Sequence, residues 1–309
     1  MSRDTPTVSV VVGTYNCAKY LPGLFACLDA QTFRDFEVVV VDDASTDDET
    51  LRMLTGQGDR IRLIPRAKNS ATCELPRYQG AREAKAPLCA FLDADDRWDP
   101  DFLSRCIAWM HTHPNDALVH TYVRVVDGDD RTLRIRHEGA IPTGADVAPA
   151  LLRHCFITIS AVVARRDVWL AAVPESAITD FGMDLDFFLS IAKHHSIGFI
   201  PDVLAFSRRS DDSVSVKKWK RVPRNVTTLG RILRQGDYIG LATHAEMRGI
   251  VRDAYVDDAE YWRHEGRPER SWWFCREGLK NFPLDRRLMA CAVKTFVSWL
   301  RRSRVSLPG

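Results

Sequence analysis

Two segments constrain the fold before anything else in this sequence. Residues 7–12 are nearly continuous in β-branched side chains, and residues 36–41 include four consecutive valines, Val38, Val39, Val40 and Val41. A strand with one face in water alternates apolar and polar residues. Uninterrupted runs of this kind read as strands covered on both faces, as in a parallel sheet between helices. The stretch between them, 20–30, carries Leu21, Leu24, Phe25 and Leu28 at helical spacing. The unit is strand, helix, strand, and it repeats: a helix over 46–54, a strand at 61–64, a helix over 76–84 and a strand at 88–92. The expected class is α/β, with a mostly parallel central sheet flanked by helices.

From 101 to 216 the alternation is less regular, with strands expected at 117–126 and 160–164 and a helix at 184–194. That suits a second half built on the same sheet. Strand signals stop beyond Lys217, and 222–233, 243–264, 268–280 and 286–304 read as amphipathic helices. We place a boundary near Val216. This gives a catalytic domain over 1–216, with a nucleotide-binding half at 1–100 and an acceptor half at 101–216, followed by a helical appendage at 217–309. Segments 255–264 and 269–282, joined by Glu265, Gly266, Arg267 and Pro268, look like one helical hairpin without a second copy at a fixed period. Trp272, Trp273 and Phe274 are expected in its core.

Composition narrows the function by exclusion. Lysine and arginine number 43 against 41 acidic residues, a net charge of +2, so no general field favours nucleic acid as a partner. The eight cysteines lack any pair at zinc-knuckle or redox spacing and read as free thiols. The N-terminus is polar and runs straight into a strand, unlike a signal peptide, and no apolar run approaches the roughly 20 residues of a membrane span. The expected location is cytoplasmic, with the inner face of the cell membrane as a further place of work.

Ligands of open parallel sheets bind beyond the carboxyl ends of the strands. Three such loops carry chemistry: Gly13-Thr14-Tyr15-Asn16, Asp42-Asp43-Ala44-Ser45-Thr46-Asp47 and Asp93-Ala94-Asp95-Asp96. Carboxylates crowded at a strand end repel unless something positive neutralises them, and a divalent cation with a diphosphate does so. The structural alternative is that Asp42, Asp43, Ser45 and Thr46 cap a helix. A lone Asp-x-Asp is also common in exposed turns.

The ordered set of blocks is more specific than any one of them. Val8 through Asn16, Phe36 through Asp47, Arg77 with Gly80 ahead of Phe91-Leu92-Asp93-Ala94-Asp95-Asp96, and Met183-Asp184-Leu185-Asp186 together resemble the family 2 glycosyltransferases of the GT-A fold. The resemblance covers about the first 215 residues. It implies an inverting, metal-dependent transfer from a nucleoside-diphosphate sugar, a UDP-sugar first, to a carbohydrate or lipid-linked glycan acceptor in surface-glycan assembly. It implies that Thr14, Tyr15 and Asn16 form the first nucleotide loop, with Asp43 accepting from the base and Arg77 near base and diphosphate. Asp93, Ala94 and Asp95 would face the donor, Asp93 and Asp95 holding Mg²⁺ or Mn²⁺ through hard oxygens. Asp184 would be the general base and Asp186 an orienting neighbour, whereas the structural alternative for Asp184 is an N-cap.

Several positions depart from the family pattern. Gly13 replaces a proline, Ser70 stands where Asn-Gly is common, Tyr78-Gln79 replace Asn-x, and Met183 replaces a glutamate. Arg208-Arg209-Ser210 occupies the place of Tyr-Arg-x-His, which leaves the two arginines as candidate phosphate contacts or as solvated side chains. His194 and His195 read as an exposed helix end rather than metal ligands. The alternatives in function are a nucleotidyltransferase, which would want a glycine-rich basic first loop, and a non-catalytic sugar-nucleotide-binding protein. The last helix carries Leu288, Met289, Ala292, Val293, Phe296, Val297 and Leu300 in one apolar stripe among Arg286, Arg287, Lys294, Arg301, Arg302 and Arg304. Packing on the hairpin, a homodimer contact and peripheral membrane contact are all open to it.

Overall fold

The computed structural model describes residues 5–136, 139–178, 183–209 and 226–305. The valine runs form the strands β1 (Val8–Thr14) and β2 (Phe36–Asp42), paired in parallel with Val8 opposite Phe36 and Thr14 opposite Asp42. Val10, Val11, Val12, Val39, Val40 and Val41 are fully buried, so both faces are covered as the sequence pattern requires. β3 (Arg62–Pro65) extends the sheet beyond β2, and β4 (Leu88–Phe91) flanks β1 on the other side, both in parallel. The helices α1 (Leu21–Asp29), α2 (Asp48–Thr55) and α3 (Glu74–Glu83) connect these strands.

Beyond β4 the sheet becomes mixed. After β5 (Arg97–Trp98), α4 (Phe102–Thr112), β6 (Asp116–Val126), β7 (Thr132–Arg136), α5 (Val147–Arg153), β8 (Val162–Arg165), α6 (Arg166–Ala172), α7 (Asp184–His194) and β9 (Ser196–Arg208), the strand order is β3-β2-β1-β4-β8-β6-β9-β5, with β7 on β6. β8 enters antiparallel between β4 and β6, whereas β6 and β9 run parallel to each other. The expected parallel character therefore holds for the first four strands. This reversal puts β4, and the aspartates at its end, in the middle of the sheet.

One contact sets how closely α3 approaches. A Cβ added at Gly80 would lie 2.4 Å from Val11 Cγ1 on β1, so the helix can sit at this distance only with glycine there. A helix–sheet layer packed to interior density has no slack to absorb that methyl.

The chain divides into two compact units, 1–211 and 212–309. The boundary expected near Val216 and the start of the helix expected from 222 lie outside the described residues. The second unit contains α8 (Val226–Gln235), α9 (His244–His264), α10 (Pro268–Asn281) and α11 (Arg286–Val305). α9 starts with a reciprocal capping box between Thr243 and Glu246. Ala259, Trp262, Phe274, Cys275, Cys291 and Ala292 form this unit's core, with Trp273 partly buried against it and Trp272 at the surface. The stripe on α11 divides. Leu288 and Ala292 are buried, whereas Met289, Val293, Phe296, Val297 and Leu300 are exposed. All eight cysteines are free thiols.

Candidate active site

The first two loops are tied to each other before any ligand is considered. Asn16 adopts a left-handed φ of 46°, which asparagine tolerates better than most residues. Its amide oxygen accepts from the N–H groups of Thr46 and Asp47, and its Nδ2 donates to Thr46 Oγ1. Asn16 thus clips the β1 loop to the β2 loop. Asp42 is buried and accepts from Thr14 Oγ1 at 3.0 Å, from the Ser45 N–H at 2.9 Å and from Ser45 Oγ at 2.6 Å. α2 is capped instead by Asp47, which accepts from the Thr50 N–H. The capping alternative for Asp42, Asp43, Ser45 and Thr46 therefore does not describe this segment. Tyr15 stands 48% exposed on the loop.

Asp43 is buried at the same rim. Both its oxygens accept from the Ser70 N–H at 3.0 Å, one also accepts from Ser70 Oγ at 2.8 Å, and Arg66 Nε lies 2.9 Å away. Ser70, noted above only as a departure from the family pattern, and Arg66, which no motif flagged, fix its orientation. Of the roughly four lone-pair sites of a carboxylate, both oxygens of Asp43 are thus engaged from the Ser70 and Arg66 side.

The third loop follows β4 at the centre of the sheet. Side-chain oxygens of Asp93, Asp95 and Asp96 all lie within 4.8 Å of one another. Burial and the charge of Asp93 push the Asp95 carboxyl up to about 6. Asp96 is pushed far higher, by burial first and then by Asp95 and Asp93. Ser160 Oγ accepts from the Asp93 N–H and bonds the Asp96 carboxylate, which also accepts from the Arg208 N–H at 2.9 Å. Hard oxygens held this close against one another match what a divalent cation would neutralise, and among the described residues this is the one such cluster. Asp93 and Asp95 are the two less buried members, while Asp96 also anchors the end of β9.

Arg77 joins this loop to α7. Its side chain is 7% exposed and reaches Asp93 Oδ1 with Nη2 at 2.6 Å and Asp184 Oδ1 with Nη1 at 3.0 Å. Burial alone would lower the guanidinium pKa, but Asp93 and Asp184 raise it well above its usual range, so it remains charged. The two carboxylates retain 34% and 35% of their side-chain surface, so they line an open face with the arginine behind them. Asp184 is the first residue of α7 and Met183 its N-cap, so the carboxylate is turned to Arg77 rather than capping the helix. Burial lifts the Asp184 carboxyl to about 6. Arg77 and Arg136 oppose that rise, and Glu74 and Asp93 add to it.

Glu74, which sequence reading did not single out, is buried beneath this pair. Its carboxylate accepts from the N–H groups of Cys73 and Met183. No spacing or motif relates residues 74 and 183. The Arg208 side chain binds the β6–β7 turn, Nη1 donating to the carbonyls of Asp127 and Gly128 and Nη2 to Asp130, while its charge still acts to lower the Asp95 carboxyl. Arg209 donates its N–H to the Val126 carbonyl, and Ser210 lies outside the described residues. His194 and His195 are exposed at the end of α7.

Similar curated proteins include an uncharacterised glycosyltransferase of a Nostoc species, 32% identical over 168 residues, which covers 52% of this chain and 51% of that one. They also include the poly(ribitol-phosphate) β-N-acetylglucosaminyltransferase TarS of Staphylococcus aureus, 35% identical over 115 residues, or 36% of this chain and 20% of TarS. The chain thus spans about half the length of the first and a fifth of the second. The crystal structure of S. aureus TarS 1-349 in complex with UDP-GlcNAc superposes with a TM-score of 0.58 at 17% identity, covering 95% of this chain and 89% of that one, a likeness of fold. The model of Glycosyl transferase family 2 matches residues 9–169, more than half of the sequence and the stretch that holds the loops after β1 and β2, Arg77 and the aspartates after β4; the chain belongs to that family.

Proposed function

We propose that this protein transfers a glycosyl group from a nucleoside-diphosphate sugar to an acceptor hydroxyl, with inversion, in the assembly of a bacterial surface glycan. The observation that carries the reading is the Arg77 bridge. One buried guanidinium holds a carboxylate of the β4 loop on one side and the first carboxylate of α7 on the other. Donor-side and acceptor-side groups are thereby set a fixed distance apart. The names of TarS and of the teichuronic acid biosynthesis glycosyltransferase TuaG of Bacillus subtilis, 30% identical over 112 residues, support the surface-glycan assignment. The UDP-GlcNAc complex of TarS supports a UDP-sugar as donor.

In this reading the Thr14 and Tyr15 backbone and the Asp43 carboxylate receive the base. Asp93 and Asp95 hold Mg²⁺ or Mn²⁺, and Ala94 between them faces the donor. When bound, such a cation neutralises charge on the departing diphosphate. Asp184 takes the proton of the acceptor hydroxyl as general base, and its raised carboxyl makes it a better proton acceptor than a solvated aspartate. Attack from the side opposite the diphosphate inverts the anomeric centre.

The test is a panel of nucleotide-sugars assayed with and without EDTA, using wild type, Asp95→Ala and Asp184→Asn. Transfer that chelation abolishes and Mn²⁺ restores is expected. Asp184→Asn should lower kcat by roughly 10²-fold or more at nearly constant nucleotide affinity. Full turnover in EDTA, or an active Asp184→Asn enzyme, overturns the corresponding assignment.

For the acceptor we propose a lipid-linked glycan reached at the cytoplasmic face of the membrane, with α11 lying at the interface. Its exposed row of Met289, Val293, Phe296, Val297 and Leu300 supports this, together with six basic and no acidic residues between positions 286 and 304. Two copies of so basic a helix would repel, which argues against a homodimer through this face. No helix among the described residues is long and apolar enough to cross a membrane. Flotation on anionic vesicles that weakens with salt and is lost in Val293→Glu/Val297→Glu is expected; a full-length chain that never floats removes the membrane from the reading.

A further inference from the structure

Glu74 is 3% exposed and occupies the first position of α3, three residues before Arg77. A carboxylate buried to this extent is costly to keep unless its oxygens are satisfied. Oε2 accepts from the N–H of Cys73, the N-cap of α3, at 3.0 Å. Oε1 accepts from the N–H of Met183, the N-cap of α7, at 2.9 Å. Neither N-cap residue caps its own helix with its side chain. A single carboxylate therefore serves the N-cap amides of two helices and places its charge at the positive end of both dipoles.

These helices carry the two members of the pair at the cleft, Arg77 on α3 and Asp184 on α7, hydrogen-bonded at 3.0 Å. The contacts close a ring: Glu74 to the Met183 amide, Met183 to Asp184 through the chain, Asp184 to Arg77, and Arg77 back to Glu74 along the first turn of α3. Glu74 is the only acidic side chain in that first turn, and Met183 brings no carboxylate of its own. Among the described residues, the Glu74–Met183 bond is a polar tie between the starts of α3 and α7 beside the Arg77–Asp184 pair, and it acts on the backbone of α7 rather than on a side chain.

We infer that Glu74 is a positioning residue of the transfer reaction: it pins the start of α7 to the start of α3, so that the Asp184 carboxylate meets the acceptor hydroxyl from a fixed place. The inference rests on Asp184 being the general base, as proposed above. Displacing a base by about 1 Å costs up to roughly 10²-fold in rate, while the β1 and β2 loops, which are proposed to receive the base, do not include Glu74 or its two bonded amides.

The experiment compares Glu74→Gln, Glu74→Asp, Met183→Pro and Asp184→Asn in the full chain, with kcat normalised to the fraction that binds nucleotide. Gln keeps the size but offers one acceptor oxygen for two amides. Asp keeps both oxygens but is one methylene short. Met183→Pro deletes the donor and leaves Glu74 in place, and the Met183 φ of −83° suits proline; because it also removes a buried side chain, Met183→Ala, which keeps the amide, is its reference. Glu74→Gln and Met183→Pro should each lower normalised kcat by about 10- to 100-fold with donor KM within about threefold of wild type, and Glu74→Asp should fall between. A residue needed only for folding would reduce the nucleotide-binding fraction and leave normalised kcat unchanged, and that result overturns the inference. So does a loss confined to donor KM. Should Glu74→Gln fail to fold, Met183→Pro decides by the same criterion. If Asp184→Asn is impaired while Glu74→Gln and Met183→Pro turn over normally, only Glu74 loses its role; if Asp184→Asn is itself active, the base assignment falls and this inference with it.

Discussion

Replacing Arg77 by methionine removes the one charge that faces both Asp93 and Asp184. At a separation of charge centres near 4 Å and an effective dielectric constant of about 20, each ion pair is worth about 4 kcal/mol. About a third of each carboxylate's surface is open to solvent, which leaves roughly 1.5 kcal/mol after screening, or about one pKa unit at 1.36 kcal/mol per unit. Losing a neighbouring cation favours the neutral acid, so Asp184 moves upward from about 6. At pH 6.5 the deprotonated fraction then falls from roughly three quarters to roughly one quarter. The assay is kcat against pH from about 5.5 to 9 at saturating donor and Mn²⁺. The acid limb should shift up by about one unit in Arg77→Met, with partial recovery of rate above pH 8. Arg77→Lys, which keeps a charge but cannot fork to two carboxylates, should lie between. An acid limb that stays in place or moves to lower pH in a folded Arg77→Met enzyme refutes the electrostatic account.

Three other outcomes are expected. Asp43→Asn, which cancels the ion pair with Arg66 and turns an acceptor into a donor opposite the Ser70 amide, should weaken nucleotide binding about tenfold or more by calorimetry; unchanged affinity would remove Asp43 from the base site. Gly80→Val should lower stability by about 1–3 kcal/mol in urea unfolding, and a neutral effect would mean that α3 yields freely against β1. Asp95, raised to about 6, takes up a proton on folding, so its contribution to stability is full below its unfolded value near 4 and is lost as pH rises through about 6. That proton competes with a cation, so the Tm gain from Mn²⁺ should be small at pH 5 and grow towards pH 7. A gain independent of pH, or one retained in Asp95→Ala, counts against the metal assignment.

The parts of the fold legible in the sequence are those with an uninterrupted local pattern. β1, β2 and α7 are found within one or two residues of the expected positions because valine runs and a clean apolar period leave one reading. β9 was missed: Gly198, Pro201 and Asp202 interrupt its run, and the register against β6 shifts around Thr121 and Tyr122, so no period of two survives. α5 and α6 span seven residues each, too short for a helical period to stand out. At the site, the aspartates of the strand ends were legible because a strand end is a local feature. The engagement of Arg208 with the β6–β7 turn, the grip of Ser70 and Arg66 on Asp43, and the reach of Glu74 to Met183 all depend on contacts between distant segments, which carry no local signal.

The close seat of Gly80 on Val11 has a mechanical consequence. An α-helix advances 1.5 Å per residue, so a slip of α3 by one position along β1 would carry Arg77 farther than its bond to Asp184 can stretch. The glycine lets the helix drop to a depth at which a side chain there would meet Val11 on β1 and Val41 on β2. On the proposed role of Asp184, the tolerance to which Arg77 holds that carboxylate is set in part about one helical turn away from Arg77, at a residue with no functional group. A screen that scores turnover alone would flag Gly80 alongside the aspartates, and a screen that also scores nucleotide binding per folded molecule would separate the fixture from the tool it holds.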